Sequence, residues 1–304
     1  MNQVRVVQVN GLTDVGCVRS GNEDCFLIQT TNQARPELNP SGTFTYENET
    51  GVFIAVSDGM GGAAAGEVAS ETTLHAIRDY IDDHRADLNE AAPEEIAQII
   101  EASVHWANRA IFAKARELDI RKPMGATLTS AFLKDAVLYL CQIGDSRAYC
   151  FRDGNLLKIT RDQSFVGHLV ELGTITEVQA LRHPQRNVIL QALGTQDNLK
   201  VDVSYLPLCK GDIIVLCSDG LYSEFTPEKL QERVRASCNG SLEDFVKTLV
   251  TEAKSAGGKD NITVVGMHVN EGFPVREPGE VPGYLAFPFL EADNPLKRVN
   301  SIFH

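Results

Sequence analysis

The stretch Val52-Phe53-Ile54-Ala55-Val56-Ser57-Asp58-Gly59 is the most informative part of this sequence, because a short apolar run ends abruptly in an acidic turn. An apolar run of this length beside a turn is typical of a buried β-strand. Beyond the turn, apolar residues recur at helical spacing across residues 66–83. The sequence therefore predicts a strand, an acidic turn and a helix in succession.

Comparable patterns continue along the chain. Apolar runs predict further strands at residues 5–10, 25–29, 127–133, 137–143, 148–152, 201–205, 213–217 and 262–269. Helical spacing predicts helices at residues 93–118, 227–236 and 242–256. This order favours layered α+β packing with helices covering sheet faces. The turn Gly144-Asp145-Ser146-Arg147 between two predicted strands indicates a β-hairpin.

Three segments differ from this pattern. Residues 31–50 are rich in Pro, Gly and Asn and are interpreted as a loop inserted between strands, and residues 165–186 as an irregular flap with a short helix. Residues 271–304 form a proline-rich tail, predicted to be extended along the surface. We therefore expect one folded domain over residues 1–270, followed by the tail.

Composition limits the function classes. The 304 residues are 43% hydrophobic and 23% charged, as in globular proteins, and the net charge of −13 repels polyanions. No apolar stretch approaches the roughly 20 residues of a membrane span, so we expect neither nucleic acid nor a membrane as a partner. Seven cysteines, without a CxxC pair, and no apparent signal peptide indicate a reducing cytoplasm.

Acidic residues stand at the ends of several predicted strands. A single Asp-Gly is a common turn, but five acidic sites at strand ends can converge on one sheet edge. Their repulsion there favours bound cations, and hard oxygen donors without His or Cys favour Mg²⁺ or Mn²⁺. Five independent solvated turns remain the alternative. The sites are Glu23-Asp24, Asp58, Asp145, Asp219 and Asp260.

The glycines after Asp58 allow three interpretations. Gly59 leaves room for its carbonyl to approach a metal ion, because no Cβ is in the way. Residues 59–64 also satisfy the dinucleotide fingerprint GxGxxA, with Asp79 about twenty residues further on. Against that, Asp58 would place a carboxylate beside the pyrophosphate. The third interpretation is a small-residue turn that lets the following helix pack tightly on a sheet.

Arg19 is the cation nearest to these acids in the sequence. Its guanidinium can bind a phosphate oxygen pair in a site that carboxylates would otherwise make repulsive. It can equally pair with Glu23 or Asp24 and serve structure alone.

Taken together, these motifs resemble the metal-dependent serine/threonine protein phosphatases, the PPM or type 2C family, and are most similar to the bacterial members. The resemblance runs in the family's order from about Thr13 to Val269. It rests on Gly16-x-x-Arg19-x-x-Asn22-Glu23-Asp24, Asp58-Gly59-Met60-Gly61-Gly62, Met124-Gly125-Ala126-Thr127-Leu128, Gly144-Asp145-Ser146-Arg147, His183-Pro184-Gln185-Arg186, Ala192-Leu193-Gly194, Cys217-Ser218-Asp219-Gly220-Leu221 and Asp260-Asn261-Ile262-Thr263.

The resemblance implies a four-layer α-β-β-α sandwich, with two antiparallel sheets flanked by helix pairs and a centre of two Mn²⁺ or Mg²⁺ ions. It assigns the metal ions to Asp58 as the bridging ligand and to the Gly59 carbonyl, Asp219 and Asp260. It further implies that Glu23 acts through a metal-bound water, that Asp145 with Asp219 holds a third ion, and that Arg19 binds the substrate phosphate as a catalytic residue beside Asp58.

The activity implied is hydrolysis of phosphoserine and phosphothreonine on proteins by a metal-bridging hydroxide, opposing a Ser/Thr kinase. The partners implied are phosphoproteins, and a Ser/Thr kinase or its targets. The chain departs from some relatives in carrying Met60 and Ala63 where they have His, so the general acid is not identified. A non-catalytic phosphoprotein-binding module is the second hypothesis, and a dinucleotide-dependent oxidoreductase the third.

Overall fold

The computed structural model describes residues 4–47, 51–118, 124–276 and 285–286. The strands are β1 Val6–Asp14, β2 Asp24–Thr30, β3 Thr43–Glu47, β4 Val52–Met60, β5 Gly125–Ala126, β6 Leu128–Lys134, β7 Val137–Ile143, β8 Arg147–Arg152, β9 Asn155–Lys158, β10 Asp202–Pro207, β11 Ile213–Cys217, β12 Ile262–Val269 and β13 Leu285–Ala286. The helices are α1 Ala63–Asp83, α2 Arg85–Glu90, α3 Pro93–Glu117, α4 Phe165–Glu171, α5 Glu177–Ala180, α6 Asp219–Tyr222, α7 Pro227–Ser237 and α8 Leu242–Ala256.

The strands form two antiparallel sheets that pack face to face. The first has the order β3-β1-β12-β11-β8-β9, and the second has the order β13-β10-β7-β6-β4-β2, with β5 paired to β4. Helices α1 and α3 contact the second sheet, and α7 and α8 contact the first. The predicted α+β class and the four-layer α-β-β-α arrangement are therefore confirmed.

The layers explain why the strands appear in the sequence as unbroken apolar runs. In β7, Val137, Tyr139 and Cys141 belong to the core between the second sheet and its helices. The intervening Leu138 and Leu140 belong to the core between the two sheets. Because both faces of the strand are buried, both sets of alternating positions are apolar, as expected for a strand inside a layered fold.

Two local predictions were wrong. Residues 31–50 are not all loop, because they contain β3, which pairs with β1 through Val7 and Tyr46. The turn Gly144-Asp145-Ser146 does not close a hairpin either. Strand β7 pairs with β6 and β10, whereas β8 pairs with β9 and β11, so this turn carries the chain from one sheet to the other.

The dinucleotide hypothesis also fails on topology. Strand β4 leads into α1 as that fingerprint requires, but its neighbours β2 and β6 both run antiparallel to it. The dinucleotide fold places such a motif in a parallel βαβ unit. The glycine-rich turn here joins a helix to an antiparallel sheet.

The chain beyond β12 stays attached to the domain for a short distance. Phe273 is buried, and the Lys210 amide donates to the Pro274 carbonyl at 2.9 Å. Further on, β13 pairs with Ser204 and Tyr205 of β10. The remaining part of the predicted tail lies outside the described residues.

Five of the seven cysteines pack as small hydrophobic residues. All seven lie in the described ranges, none forms a disulfide, and Cys25, Cys141, Cys150, Cys209 and Cys217 are buried. In the part of the chain covered by the structure, no helix combines the length and hydropathy needed to cross a bilayer.

Candidate functional site

Antiparallel pairing brings four of the acidic positions to one edge of the sandwich. Asp58 near the end of β4 lies opposite Asp24 at the start of β2. In the first sheet, Cys217 at the end of β11 pairs with Val264 near the start of β12. Asp219 and Asp260 lie just beyond that pair on the same side. An acid after one strand and an acid before its antiparallel partner therefore meet.

The fifth position, Asp145, lies in the turn that connects the two sheets. Its backbone carbonyl accepts a hydrogen bond from the Tyr222 hydroxyl at 3.0 Å. The neighbouring Ser146 and Thr127 hydroxyls are 2.7 Å apart, and the Thr127 hydroxyl accepts from the Asp58 amide at 3.0 Å. These contacts fix the Asp145 turn relative to the end of β4.

The acids are close enough to change each other's ionisation. Burial raises the pKa of Asp58 well above its usual value, and the nearby carboxylates raise it further; they are Asp24, Asp219, Asp145 and Asp260. Burial, followed by the charge of Asp219, raises the pKa of Asp145 to about 8. Burial and Asp260 raise the pKa of Asp219 to about 6. Each shift opposes the charged form, so the edge favours cations.

Asp24 contributes to this edge although the sequence analysis assigned it no role of its own. Its Oδ2 accepts hydrogen bonds from the Ser218 hydroxyl at 2.6 Å and the Thr263 hydroxyl at 2.7 Å. Its buried Oδ1 has no hydrogen-bond partner among the described residues. Burial raises the pKa of this carboxyl to about 7, and the two hydroxyl contacts oppose that rise.

Glu23, Gly59 and Gly66 meet where the loop before β2, the end of β4 and the first turn of α1 come together. The Gly59 amide donates to the Glu23 carbonyl at 3.1 Å. A Cβ on Gly59 would lie 2.0 Å from the Gly66 carbonyl oxygen, and a Cβ on Gly66 would lie 1.9 Å from Glu23 Oε2. The third interpretation of these glycines, tight packing of a helix on a sheet, therefore describes what the structure contains.

Asn261 holds the loop that carries Arg19 and Glu23. Its Oδ1 accepts from the Glu23 amide at 2.8 Å, and its Nδ2 donates to the carbonyls of Val15 at 3.0 Å and Gly21 at 2.9 Å. Asn261 belongs to one of the motifs that carry the family resemblance, without a predicted function of its own. Its position directly after a strand-end acid was the available signal.

Arg19 pairs with an acid other than the two expected. Its Nη2 lies 2.7 Å from Asp260 Oδ2, and its side chain is 49% exposed. This hydrogen bond raises the pKa of the guanidinium, and the charges of Glu23 and Asp219 act in the same direction. The structure thus brings Arg19 together with the predicted acids, through Asp260 instead of Glu23 or Asp24.

The donor set fits hard divalent cations. It consists of carboxylates and includes a buried carboxylate oxygen that lacks a partner, and its members repel each other without a cation. In the described ranges no three Asp, Glu, His or Cys side chains are gathered tightly enough to form a ready-made site for one ion. The Asp260 side chain, in particular, is paired with Arg19.

Comparison with known proteins agrees with the sequence resemblance. Residues 42–256 match the family described as protein phosphatase 2C. The serine/threonine phosphatase stp of Listeria welshimeri is 34% identical over 254 residues, which cover 83% of this chain and 92% of that protein. PstP of Mycobacterium tuberculosis is 36% identical over 229 residues, which are 74% of this chain and 42% of that longer protein.

Solved structures agree as well. The serine/threonine phosphatase of S. agalactiae superimposes with a TM-score of 0.72 at 29% identity and covers 87% of this chain and 100% of its own. The catalytic domain of PstP in complex with two manganese ions gives a TM-score of 0.68 at 31% identity, and the match covers 88% of this chain and 99% of that structure. With its fold, its strand-end acids and most of its length matched, the chain belongs to the protein phosphatase 2C family.

Proposed function

We propose that this chain is a metal-dependent protein phosphatase that hydrolyses phosphoserine and phosphothreonine on proteins. The observation that carries this proposal is the convergence of separate carboxylates at an edge built from both sheets, where Asp58 lies opposite Asp24 and the ends of β11 and β12 bring in Asp219 and Asp260. Such an edge is stable when divalent cations neutralise it. The names of the relatives supply the substrate class.

In this proposal, Asp58 bridges two Mn²⁺ or Mg²⁺ ions, and the Gly59 carbonyl, Asp219 and Asp260 complete their ligands. Glu23 acts through a water molecule, and Asp145 with Asp219 holds a third ion. When bound, such ions lower the pKa of water and stabilise charge on phosphoryl oxygens.

The chain's own residues supply position and phosphate binding. Arg19 is half exposed, so a phosphate can reach its guanidinium and replace the bond to Asp260 with a bidentate one. Asn261 keeps the Arg19 loop beside the acids through three hydrogen bonds. Thr127 fixes the Asp58 backbone. Phosphate and Asp260 therefore compete for the same guanidinium.

The proposal also covers the extent of the catalytic domain, the cellular compartment and the biological partner. Residues 1–270 form the catalytic domain, extended by the packed residues 271–276, and the tail follows. The cytoplasm is the proposed compartment, which is consistent with five buried cysteines packed as apolar residues. The biological partner is a Ser/Thr kinase or its targets, because such a kinase must supply the phosphoresidues.

The first prediction concerns metal dependence. Purified protein should hydrolyse p-nitrophenyl phosphate and a phosphothreonine peptide with Mn²⁺ or Mg²⁺, and lose at least about 100-fold of that rate in EDTA, because the acids need cations to act. Activity should return when Mn²⁺ is added in excess of the chelator. Equal rates with and without EDTA would contradict the proposed function, and peptide binding without turnover would favour a phosphoprotein-binding module.

A further inference from the structure

A cavity of about 420 Å³ lies beside the acidic edge. It is enclosed by the flap formed by residues 165–186, by strands β8 and β9, and by helices α6 and α7. Asp145 and Asp219 are among the residues that line it. The cavity therefore shares two acids with the proposed catalytic site and is also lined by residues of the flap.

Apolar side chains form much of the cavity wall. Its walls include Leu156, Leu157, Val166, Leu181, Phe225 and Leu230. These side chains come from β9, from α4 and the end of α5 in the flap, and from α7 and the loop before it. Ligand sites of this size are commonly apolar pockets with a few polar groups at one end.

Four of the charged residues in the wall pair with one another. Arg147 forms a close ion pair with Asp162 at 2.6 Å, and Lys158 lies 2.9 Å from Glu177. The Arg147 guanidinium also stacks on the Tyr222 ring at 3.6 Å. The other charged lining residues are Asp145, Asp219 and Arg186, and the charge of Arg186 acts on Asp219, so the apolar residues of the wall are left to favour a neutral apolar group.

We propose that this cavity, which we name the flap pocket, binds an apolar side chain of the phosphoprotein substrate, close in sequence to the phosphoresidue. The proposal rests on the proposed function. A phosphoresidue held at Asp58 and Arg19 brings its neighbouring residues close to Asp145 and Asp219, which also line the pocket. Burying a Leu or Phe side chain there removes apolar surface from water, which strengthens binding of that substrate.

The pocket belongs to the substrate in this proposal because two residues of the acidic edge also line it. A separate small-molecule site would have no need to share two of the proposed metal-binding carboxylates, Asp145 and Asp219. A substrate segment comes close to these two carboxylates whenever its phosphate reaches the ions. The flap pocket therefore sets substrate choice and leaves the phosphate chemistry to the acids.

The test is a set of phosphothreonine peptides in an alanine background, with a single Leu placed in turn at each of the three positions on either side of the phosphoresidue. We expect kcat/KM to rise by about tenfold or more at one position, or at two neighbouring ones, relative to the all-alanine peptide. Because both peptides are measured on the same variant, any effect of the substitution on the phosphate chemistry is common to both and cancels when their kcat/KM values are compared.

Two flap variants probe the pocket itself. Ala180→Leu fills the pocket from α5, and Leu181→Ala removes part of its wall. In both variants, the kcat/KM of the Leu peptide divided by that of the all-alanine peptide, at the preferred position, should fall to about one-third or less of the parent's ratio. The matched control is Leu172→Ala, on the same flap but 64% exposed and outside the pocket, which should keep the ratio. Melting temperatures and p-nitrophenyl phosphate turnover report whether each variant is folded and active.

A peptide with p-benzoylphenylalanine at the preferred position gives an independent measurement. Photo-crosslinking followed by mass spectrometry should place the adduct on residues 156, 157 or 181. Three results would overturn the proposed role of the flap pocket: equal kcat/KM for all peptides, a Leu preference that survives in both flap variants, or an adduct elsewhere. If p-nitrophenyl phosphate is still hydrolysed in these cases, the proposed phosphatase function stands. Absence of Mn²⁺-dependent turnover on every substrate would instead overturn the proposed function, and the pocket with it.

Discussion

Among single residues, Asp58 shows most clearly why the acidic site lowers the stability of the folded protein when no cations are bound. Asp58 is half-buried, and the charges of four other acids act on its carboxyl. The pKa of Asp58 is raised in the folded state, so the folded protein binds this proton more tightly than the unfolded chain does. Stability from this group is therefore greatest at low pH and is lost as pH rises through the carboxyl titration.

The second prediction follows for Asp58→Asn. In EDTA at pH 7.5 the variant should melt a few degrees above the parent, because a half-buried carboxylate among like charges has been removed. With Mn²⁺ its turnover should fall by about 100-fold or more. Thermal melts with and without Mn²⁺, together with p-nitrophenyl phosphate kinetics, measure both effects. The exposed Asp83→Asn is the control, and a fully active Asp58→Asn would refute the assigned role.

Arg19 is the second residue whose role can be resolved by one substitution. The third prediction is that Arg19→Ala raises KM for p-nitrophenyl phosphate by about 10- to 100-fold, because a charged hydrogen bond to phosphate is lost. Inorganic phosphate should inhibit the variant less strongly. If Arg19 serves only to hold Asp260, the substitution should change the apparent Mn²⁺ affinity and leave KM unaltered. Arg19→Lys, which keeps charge but not the bidentate geometry, should be intermediate.

At the scale of elements, the contact between β4 and α1 decides how the loop before β2 is placed. Gly59 and Gly66 let the strand end and the first helical turn approach, and Glu23 fills the remaining space. A helix interior usually prefers Ala to Gly by about 1 kcal/mol. At Gly66 this preference is opposed by the Glu23 carboxylate, whose side chain can move aside, and by the Gly59 carbonyl oxygen at 2.9 Å. At Gly59 every close obstacle is backbone, beginning with the Gly66 carbonyl oxygen at 2.0 Å.

The fourth prediction compares three Gly→Ala variants by urea unfolding in EDTA. Gly59→Ala should lower the free energy of unfolding by about 2 kcal/mol or more, because its Cβ meets the Gly66 carbonyl oxygen and forces the backbone apart. Gly66→Ala should cost less, since its closest obstacle, the Glu23 side chain, can rotate away and the nearest backbone atom, the Gly59 carbonyl oxygen, is 2.9 Å away. Gly21→Ala, where no atom lies within 4 Å of the added Cβ, is the control. An equal loss in all three would show that this contact is not close.

At the scale of the whole molecule, the sandwich is held at the end opposite the acids by a buried ion pair. Arg152 at the end of β8 donates to Asp212 at 2.6 and 2.5 Å, and to the Pro207 carbonyl at 2.9 Å. Asp212 also accepts from the Cys209 amide at 2.8 Å. Because Pro207 belongs to the second sheet and Arg152 to the first, this cluster ties the two sheets together.

The fifth prediction is that Asp212→Ala lowers the free energy of unfolding by about 3–5 kcal/mol, because Arg152 is left buried without its partner. The double variant Arg152→Met with Asp212→Leu should recover much of that loss. Apparent Mn²⁺ affinity should stay within about twofold, since the pair is remote from the acids. Urea unfolding and Mn²⁺ titration of activity provide the comparison, and a small stability loss from Asp212→Ala would contradict the account.

Local patterns in the sequence were sufficient to predict the buried strands and helices and the acidic residues of the site. The bounds predicted for β7, β11, β12 and α8 agree with the structure, because apolar runs and helical spacing record burial directly. Strands β3 and β9 were missed since their side chains are largely exposed or half-buried, so their composition resembles that of loops. The acidic strand ends were recognisable because turn and strand patterns are local.

Tertiary structure alone decided how those pieces meet. The Asp145 turn has the composition of a hairpin, but packing places β7 and β8 in different sheets. The bond of Arg19 to Asp260, the hydroxyls that hold Asp24, and the anchoring of the Arg19 loop by Asn261 each join residues more than 190 positions apart. Local sequence patterns carry no record of such partners, because the distance between them is fixed only when both sheets and their helices have packed together.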